Sequence, residues 1–249
     1  MKRIMLFMFL STLIYSKSLT LVTLESPPLE YLEEGIAKGT NIDIVKETLN
    51  RMGYSVNIKF VPWKRALLMV KEGLADGIID AAYTKDRDKY LHYPKEEIHI
   101  EEWYAFKKSD TQLTLDENFE NAKNISLGVS RGFIYGGKIQ KAIENNMFKF
   151  LDKTYNNKQN IKKVYAGRFD MFLGVKITIL NLANTMGYKD KISIVKMTGT
   201  NEEYLLSSSK TYLGFSKKNI SKTLVDNFSK VLSQIKKDGT VNKIMKKYN

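Results

Sequence analysis

Cysteine is absent from the 249-residue chain, which excludes disulfides, thiolate nucleophiles and cysteine-held zinc or iron–sulfur centres. Histidine is nearly absent: His92 and His99 are the only two, leaving almost no material for a histidine metal site. Proline (4) and glycine (15) are sparse and aromatics make up 11%, so the chain is neither collagen-like nor disordered. Beyond the first residues no apolar run approaches the roughly 20 residues of a membrane-spanning helix. What is present is a 43% hydrophobic composition, enough for one large domain or two lobes of about 100 residues each, with a sizeable core.

The opening is read as an address. Lys2 and Arg3 precede an apolar run from Ile4 to Tyr15, and Ser16, Lys17 and Ser18 follow. A positive head, a short apolar core and small residues at the −3 and −1 positions predict a secretory signal peptide over residues 1–18, cleaved after Ser18. The expected mature protein is exported, and without a cysteine at the junction it carries no lipid anchor. A freely diffusing exported protein without disulfides fits a Gram-negative periplasm.

Lysine plus arginine number 40 against 27 acids, a net charge of +13. The lysines are scattered singly or in pairs, such as Lys107-Lys108 and Lys236-Lys237, and never cluster as a nucleic-acid face requires. A solvated lysine surface is expected, with no nucleic-acid partner. Arginine is rare after the leader: Arg51, Arg65, Arg87, Arg131 and Arg168. A chain that otherwise uses lysine keeps arginine where a planar fork is needed.

Hydrophobic periodicity predicts α/β architecture. Ser18–Leu24 alternates as a first strand, and the turn-rich Glu25-Ser26-Pro27-Pro28 follows. Ile42–Met52 has a helical stripe stopped at Gly53, Tyr54–Val61 alternates again, Trp63–Glu72 is a helix ending at Gly73, and Ala75–Ala82 is a short apolar strand. That order indicates a mainly parallel sheet. Glu102–Lys107 is a further strand, followed by a polar stretch to Asn124. The pattern then restarts with strands at 125–129, 169–173 and 191–195 and helices at 138–145, 158–167 and 178–186, a second α/β lobe. Helices from Ser221 and Val241 close the chain.

Two motifs imitate chemistry. Gly128-Val-Ser-Arg-Gly132 matches the G-x-S-x-G nucleophile elbow, but the elbow's triad histidine follows its serine and none follows Ser130 here. Gly132–Lys138 nearly spells a phosphate loop, yet Ile139 stands where a hydroxyl must hold magnesium. Both reduce to a strand, a glycine-containing turn and a helix start, either an ordinary connection or an anion-accepting end. Arg65 at a helix entry and Arg87 after an apolar strand are, taken singly, ordinary surface ion pairs. Tyr31, Trp63, Trp103, Phe133 and Tyr135 are equally core aromatics. Placement near strand-to-helix junctions, where open α/β sheets bind ligands, makes them candidates together.

Along most of the mature chain the sequence resembles the family 3 solute-binding proteins of ABC importers, the amino-acid-binding type. The resemblance is carried in order by Glu25-Ser-Pro-Pro28, Gly39-Thr-Asn-Ile-Asp43, Gly73-Leu-Ala-Asp76-Gly-Ile, Thr84-x-x-Arg87, Tyr93-Pro94, Leu127-Gly-Val-x-x-Gly132, Gly167-Arg-Phe-Asp170 and Lys237-Asp-Gly-Thr240. It implies a two-lobe, type II periplasmic-binding-protein-like fold, two mainly parallel sheets joined by two hinge strands. Residues 19–107 with 209–249 would form lobe I and 108–208 lobe II. It also implies that Arg87, with Thr84 beside it, forks onto a ligand α-carboxylate. Donors at Arg131, Gly132 and Phe133 would complete that site, with Tyr31, Trp63 and Trp103 as aromatic walls. Arg65, Asp80, Tyr135 and Glu25 join the candidate set.

Two departures from the family pattern stand out. The aspartate that pairs with a ligand α-ammonium is replaced by Val175, and the threonine after the turn glycine by Phe133. Glu25 or another acid then supplies the cation anchor, or the ligand is not a standard α-amino acid. The expectation is a monomeric, non-enzymatic binding protein without cofactor or metal. It captures a small polar, carboxylate-bearing solute for a membrane ABC permease. The alternatives are a cyclohexadienyl-dehydratase-like enzyme using Glu25 or Asp80 as general acid, and a sensory module.

Overall fold

The computed structural model describes residues 17–248. The expected leader lies outside the described residues except for Lys17 and Ser18. These two already pair with Tyr54 and Ser55 at the start of the first strand.

The first lobe begins with β1 (Lys17–Thr23), the hairpin β2 (Tyr31–Glu33) and β3 (Ile36–Lys38), and α1 (Thr40–Arg51). It continues through β4 (Tyr54–Phe60), α2 (Trp63–Glu72), β5 (Gly77–Ala82), the single turn α3 (Lys85–Asp88) and β6 (Leu91–His92). The long β7 (His99–Lys108) leads out of it. The second lobe holds β8 (Thr114–Leu115), β9 (Ser126–Ser130), α4 (Gly137–Glu144), β10 (Phe150–Thr154), α5 (Asn157–Tyr165), β11 (Met171–Val175), α6 (Lys176–Thr185), β12 (Ile192–Ile194) and β13 (Lys196–Met197). β14 (Leu205–Ser216) returns, and α7 (Lys222–Lys237) and α8 (Thr240–Met245) finish on the first lobe.

Local chemistry sets several of these boundaries. α2 ends where Gly73 takes a left-handed φ of 75°, which glycine adopts without a Cβ penalty. Gly39, at φ 125°, precedes α1 so closely to the Leu29 carbonyl that a Cβ would lie 2.1 Å from its oxygen. α5 starts at Asn156, whose Oδ1 accepts the Gln159 N–H at 2.9 Å, an N-cap worth about 1 kcal/mol.

The main sheet runs in the order β10-β9-β11-β7-β14-β5-β1-β4, with β12 beside β7 and β6 beside β14, while β2–β3 and β8–β13 form separate pairs. Each end is parallel, β4-β1-β5 in the first lobe and β11-β9-β10 in the second. The central β7–β14 pair is antiparallel and crosses between them. β1 is buried on both faces, as a parallel strand between two helix layers must be. Leu21 packs with Ile42, Leu49, Ile79 and Phe228, whereas Val22 packs with Trp63, Ala66 and Ile78. The second lobe repeats the arrangement: Leu127, Ile139 and Met171 fill one layer, and Phe106, Ile161 and Phe172 the other. Burying each such side chain contributes about 1.5–3 kcal/mol.

Hydrophobic periodicity marked no strand at β2, β3, β6, β8, β10, β13 or the long β14. β10 reads Phe-Leu-Asp-Lys-Thr and is largely exposed, because an edge strand needs no apolar alternation. The β2–β3 hairpin lies in the region that composition marked only as turns.

Candidate functional site: the interlobe cleft

The cleft lies beyond the carboxyl end of β5, where an open α/β sheet offers a crevice, and contains about 440 Å³ not filled by protein atoms. Trp63, Asp80, Arg87 and Glu101 line it from the first lobe and the crossing strand. Phe133, Ile134, Asn157 and Val175 line it from the second lobe.

Arg87 is positioned by a short local device. The Thr84 hydroxyl accepts the Arg87 backbone N–H at 3.1 Å and caps α3, which turns the side chain back under the sheet edge. The guanidinium is 6% exposed. Nη1 donates to the Ala82 carbonyl and Nη2 to the Gly132 carbonyl, both at 3.0 Å, so one side chain ties both lobes. Its carbon lies 5.6 Å from the centre of the Trp63 ring, within cation–π range. Burial pulls the Arg87 pKa below its ordinary value, while the Tyr93, Tyr90 and Glu101 charges act the other way.

Asp80 interrupts the apolar run of β5 at a φ of 69°. Aspartate tolerates that left-handed conformation better than most residues. Its Oδ1 accepts the Thr211 hydroxyl at 2.6 Å, and its carboxyl lies near that of Glu101, which lines the same cleft. Burial raises the Asp80 pKa. Burial, and next the Asp80 charge, hold Glu101 well above the usual carboxylate range.

The walls are aromatic. Phe133 meets Trp63 at 6.2 Å and Trp103 at 6.0 Å between ring centres, both edge-on. The lobes also touch through the Ser26 and Thr178 hydroxyls, 3.0 Å apart, and through the ion pair of Lys158 with Glu25 at 3.2 Å. The cleft is therefore closed.

Of the expected site residues, Trp63, Asp80, Arg87, Trp103 and Phe133 line this cleft. Thr84 acts through Arg87. Tyr135 stands behind the wall, 3% exposed, with its ring 4.9 Å from Trp103 and its hydroxyl accepting the Ser130 N–H at 2.7 Å. Four expectations need correction. Tyr31 packs against Tyr248 on the far hairpin, 6.4 Å between rings. Arg65 is exposed on α2. Arg131 stacks on Tyr155 at 4.2 Å and hydrogen-bonds its hydroxyl at 2.9 Å. Glu25 sits at a neighbouring crevice with Lys158 and not on the cleft floor.

The turn at 131–133 also differs from expectation as an anion site. The Arg131 N–H donates to the Thr154 carbonyl at 3.0 Å and the Phe133 N–H to that of Ser130 at 3.2 Å. Gly132 contributes a carbonyl to Arg87. Gly136 and Gly137 pack against Ser209 and Ser207 of β14. Ser130 is 4% exposed and accepts from Asn160 Nδ2 at 3.2 Å, so it is no nucleophile.

Glu101, Asn157, Ser26 and Ile134 were not anticipated. Glu101 had one signal: it lies two residues before Trp103 on β7, hence on the same face of the strand.

A two-lobed α/β body with a closed, aromatic-walled and charged cleft defines a clamshell ligand-binding protein. The chain belongs to the bacterial extracellular solute-binding proteins of family 3, whose model matches residues 19–249. It is 22% identical over 226 residues to the L-cystine-binding protein TcyA of Bacillus subtilis (strain 168), covering 89% of this chain and 76% of that protein. Among solved structures it resembles a histidine kinase sensor domain with similarity to periplasmic binding proteins. That match has a TM-score of 0.80 and 15% identity, over 94% of this chain and 96% of the other. It also resembles an ancestral arginine-binding protein bound to arginine, with a TM-score of 0.77 and 20% identity, over 93% and 97%. Among the described residues no helix is long and apolar enough to cross a membrane.

Proposed function

We propose that the protein is an exported, monomeric binding protein of the periplasm, sent there by a cleaved leader. In this reading it captures a small polar, carboxylate-bearing solute, an amino acid or a relative of one, and delivers it to an ABC permease. The observation that carries the reading is Arg87: a buried guanidinium facing the cleft and bonded to a carbonyl of each lobe. Its remaining N–H donors are free to fork onto a carboxylate in a partly dry site, where charge-assisted bonds are strong. Residues 19–107 with 209–249, and 108–208, are the two bodies that close, hinged on β7 and β14. The ligand shifts an open–closed equilibrium by its differential affinity for the closed form.

A thermal-shift panel of amino acids, amines and organic acids tests the reading first. A ligand at 100 times its dissociation constant adds about 2.7 kcal/mol of stability. Arg87→Ala then lowers affinity for the hit at least tenfold in calorimetry while the protein stays folded. Unchanged affinity removes Arg87 from the site. A sensory role uses the same cleft, and the likeness to a sensor domain supports keeping it as the second reading. Loss of labelled-ligand uptake when this chain is deleted separates delivery from sensing. Catalysis on the same scaffold would use Asp80 or Glu101 as proton donor, and absence of prephenate or arogenate turnover removes it.

A further inference from the structure

The floor of the cleft carries more acid than its one guanidinium offsets. Asp80 and Glu101 both line it, and two carboxyl groups side by side in a buried site do not both ionise without an added cation. Behind them Glu30 is fully buried: its Oε1 accepts from Asn41 Nδ2, while Oε2 and Asn41 Oδ1 have no hydrogen-bond partner. Across the cleft Asn157 of α5 is 6% exposed, and its Oδ1 also lacks a partner. None of the ion pairs among the described residues involves Asp80, Glu101 or Glu30. Arg87 instead directs Nη1 and Nη2 to carbonyls. The site is short of a cation, while the buried Trp103 Nε1–H is a spare donor beside it.

We propose that this floor is a cation subsite: an ammonium group of the ligand sits on the Asp80–Glu101 pair, the Asn157 side-chain oxygen reaches it from the opposite lobe, and the Trp63 and Trp103 rings flank it. The proposal rests on the cleft being the ligand site and deepens that reading. The ligand is an amine, and with Arg87 at its other end an amino acid. The anchor lies on the first lobe and the crossing strand, whereas Val175, where the resemblance puts an aspartate on the second lobe, is apolar and lines the same cleft. The ammonium is therefore held before the lobes close.

Protons balance in this scheme. The free pair shares one proton and carries a single negative charge; an arriving ammonium displaces that proton to solvent, so the bound pair and ammonium together carry one more negative charge than they did apart. The charged and titratable groups facing the pair are Glu30, Arg87 and His99. Burial raises Glu30 well above the ordinary range and, despite the Asp80 charge, lowers His99. Asp80 and Glu101 are raised as well, so their contribution to ligand-free stability is full below the ordinary carboxylate range. It is lost as pH climbs through the raised values.

The test uses Asp80→Asn and Glu101→Gln in the full mature chain. Asparagine tolerates the left-handed backbone at position 80, and neither change alters volume. The probes are the common L-amino acids, L-cystine, putrescine, and the acids pentanoate, succinate and 2-oxoglutarate. Expected are hits confined to amine-bearing probes, each weakened at least tenfold by either variant. Glu102→Gln, on the exposed face of the same strand, changes affinity less than twofold. Calorimetry in two buffers of different ionisation enthalpy should detect proton release on binding, with affinity rising with pH. Both variants, free of ligand, should melt at or above the wild type and lose its decline with pH. Acids without an amine binding as tightly as amino acids, or variants of unchanged affinity, overturn the cation subsite but leave the clamshell reading standing. No stabilisation by any probe overturns both.

Discussion

Of the two walls of the cleft, one carries nearly all the charge. Asp80 and Arg87 belong to the first lobe and Glu101 to the crossing strand, while the second lobe presents Phe133, Ile134, Val175 and the neutral amide of Asn157. Both lobes have the same layered build, parallel strands between helices, so architecture alone does not explain the asymmetry. The difference lies at the strand ends. β5 carries a left-handed aspartate two residues before its end and leads into the capped turn that holds Arg87, whereas β11 finishes in Gly174 and Val175, followed directly by α6. A charged wall selects the ligand by polar contacts, and an apolar wall that closes over it excludes water and strengthens those contacts.

The largest expected effect comes from charging the apolar wall. Val175 is 6% exposed, and Val175→Asp would bury an acid without a partner. It should cost the ligand-free protein about 3 kcal/mol in denaturant unfolding. Undiminished stability would mean that the wall is wetter than its burial implies. Removing an aromatic from the same wall is milder. Phe133→Ala deletes edge-on contacts to Trp63 and Trp103, each worth about 0.5–1.5 kcal/mol, and should weaken the ligand about threefold to tenfold through faster dissociation. A loss matching that of Arg87→Ala would erase the distinction between selecting and closing walls. The smallest effect belongs to Lys158→Ala. The Lys158–Glu25 pair spans the lobes, but both side chains are about half exposed, so it should contribute about 0.2–1 kcal/mol at most. High salt should abolish the difference between this variant and the wild type in the same calorimetric titration.

Much of the frame was legible along the chain. Gly53 and Gly73 stop helices where the periodicity of α1 and α2 runs out. The family resemblance carried by the T-x-x-R run directed attention to Arg87, and the structure shows the threonine capping the turn that holds it. The boundaries of the strands read from periodicity fall within a few residues of the observed ones, whereas β2, β3, β6, β8, β10, β13 and the long crossing strand β14 were not read as strands. Glu101 was passed over because the expected strand began one residue after it, at Glu102, whereas β7 begins at His99 and puts Glu101 in phase with Trp103. Glu25 was the acid named as a possible cation anchor, yet Lys158 from the other lobe takes it. Arg131 was drawn away by Tyr155, and the backbone donors around it by Thr154 and Ser130.

Local sequence determined the α/β order, the helix stops and the device that turns Arg87 inward, since each depends on residues within one or two turns of chain. Tertiary structure alone decided which polar groups remain unpaired. Asp80 and Glu101 lie 21 positions apart and Asn157 further still, and whether a carboxyl finds lysine, a hydroxyl, another carboxyl or nothing depends on how β5, β7 and α5 converge. Desolvation acts on the assembled cleft, and no single segment carries it.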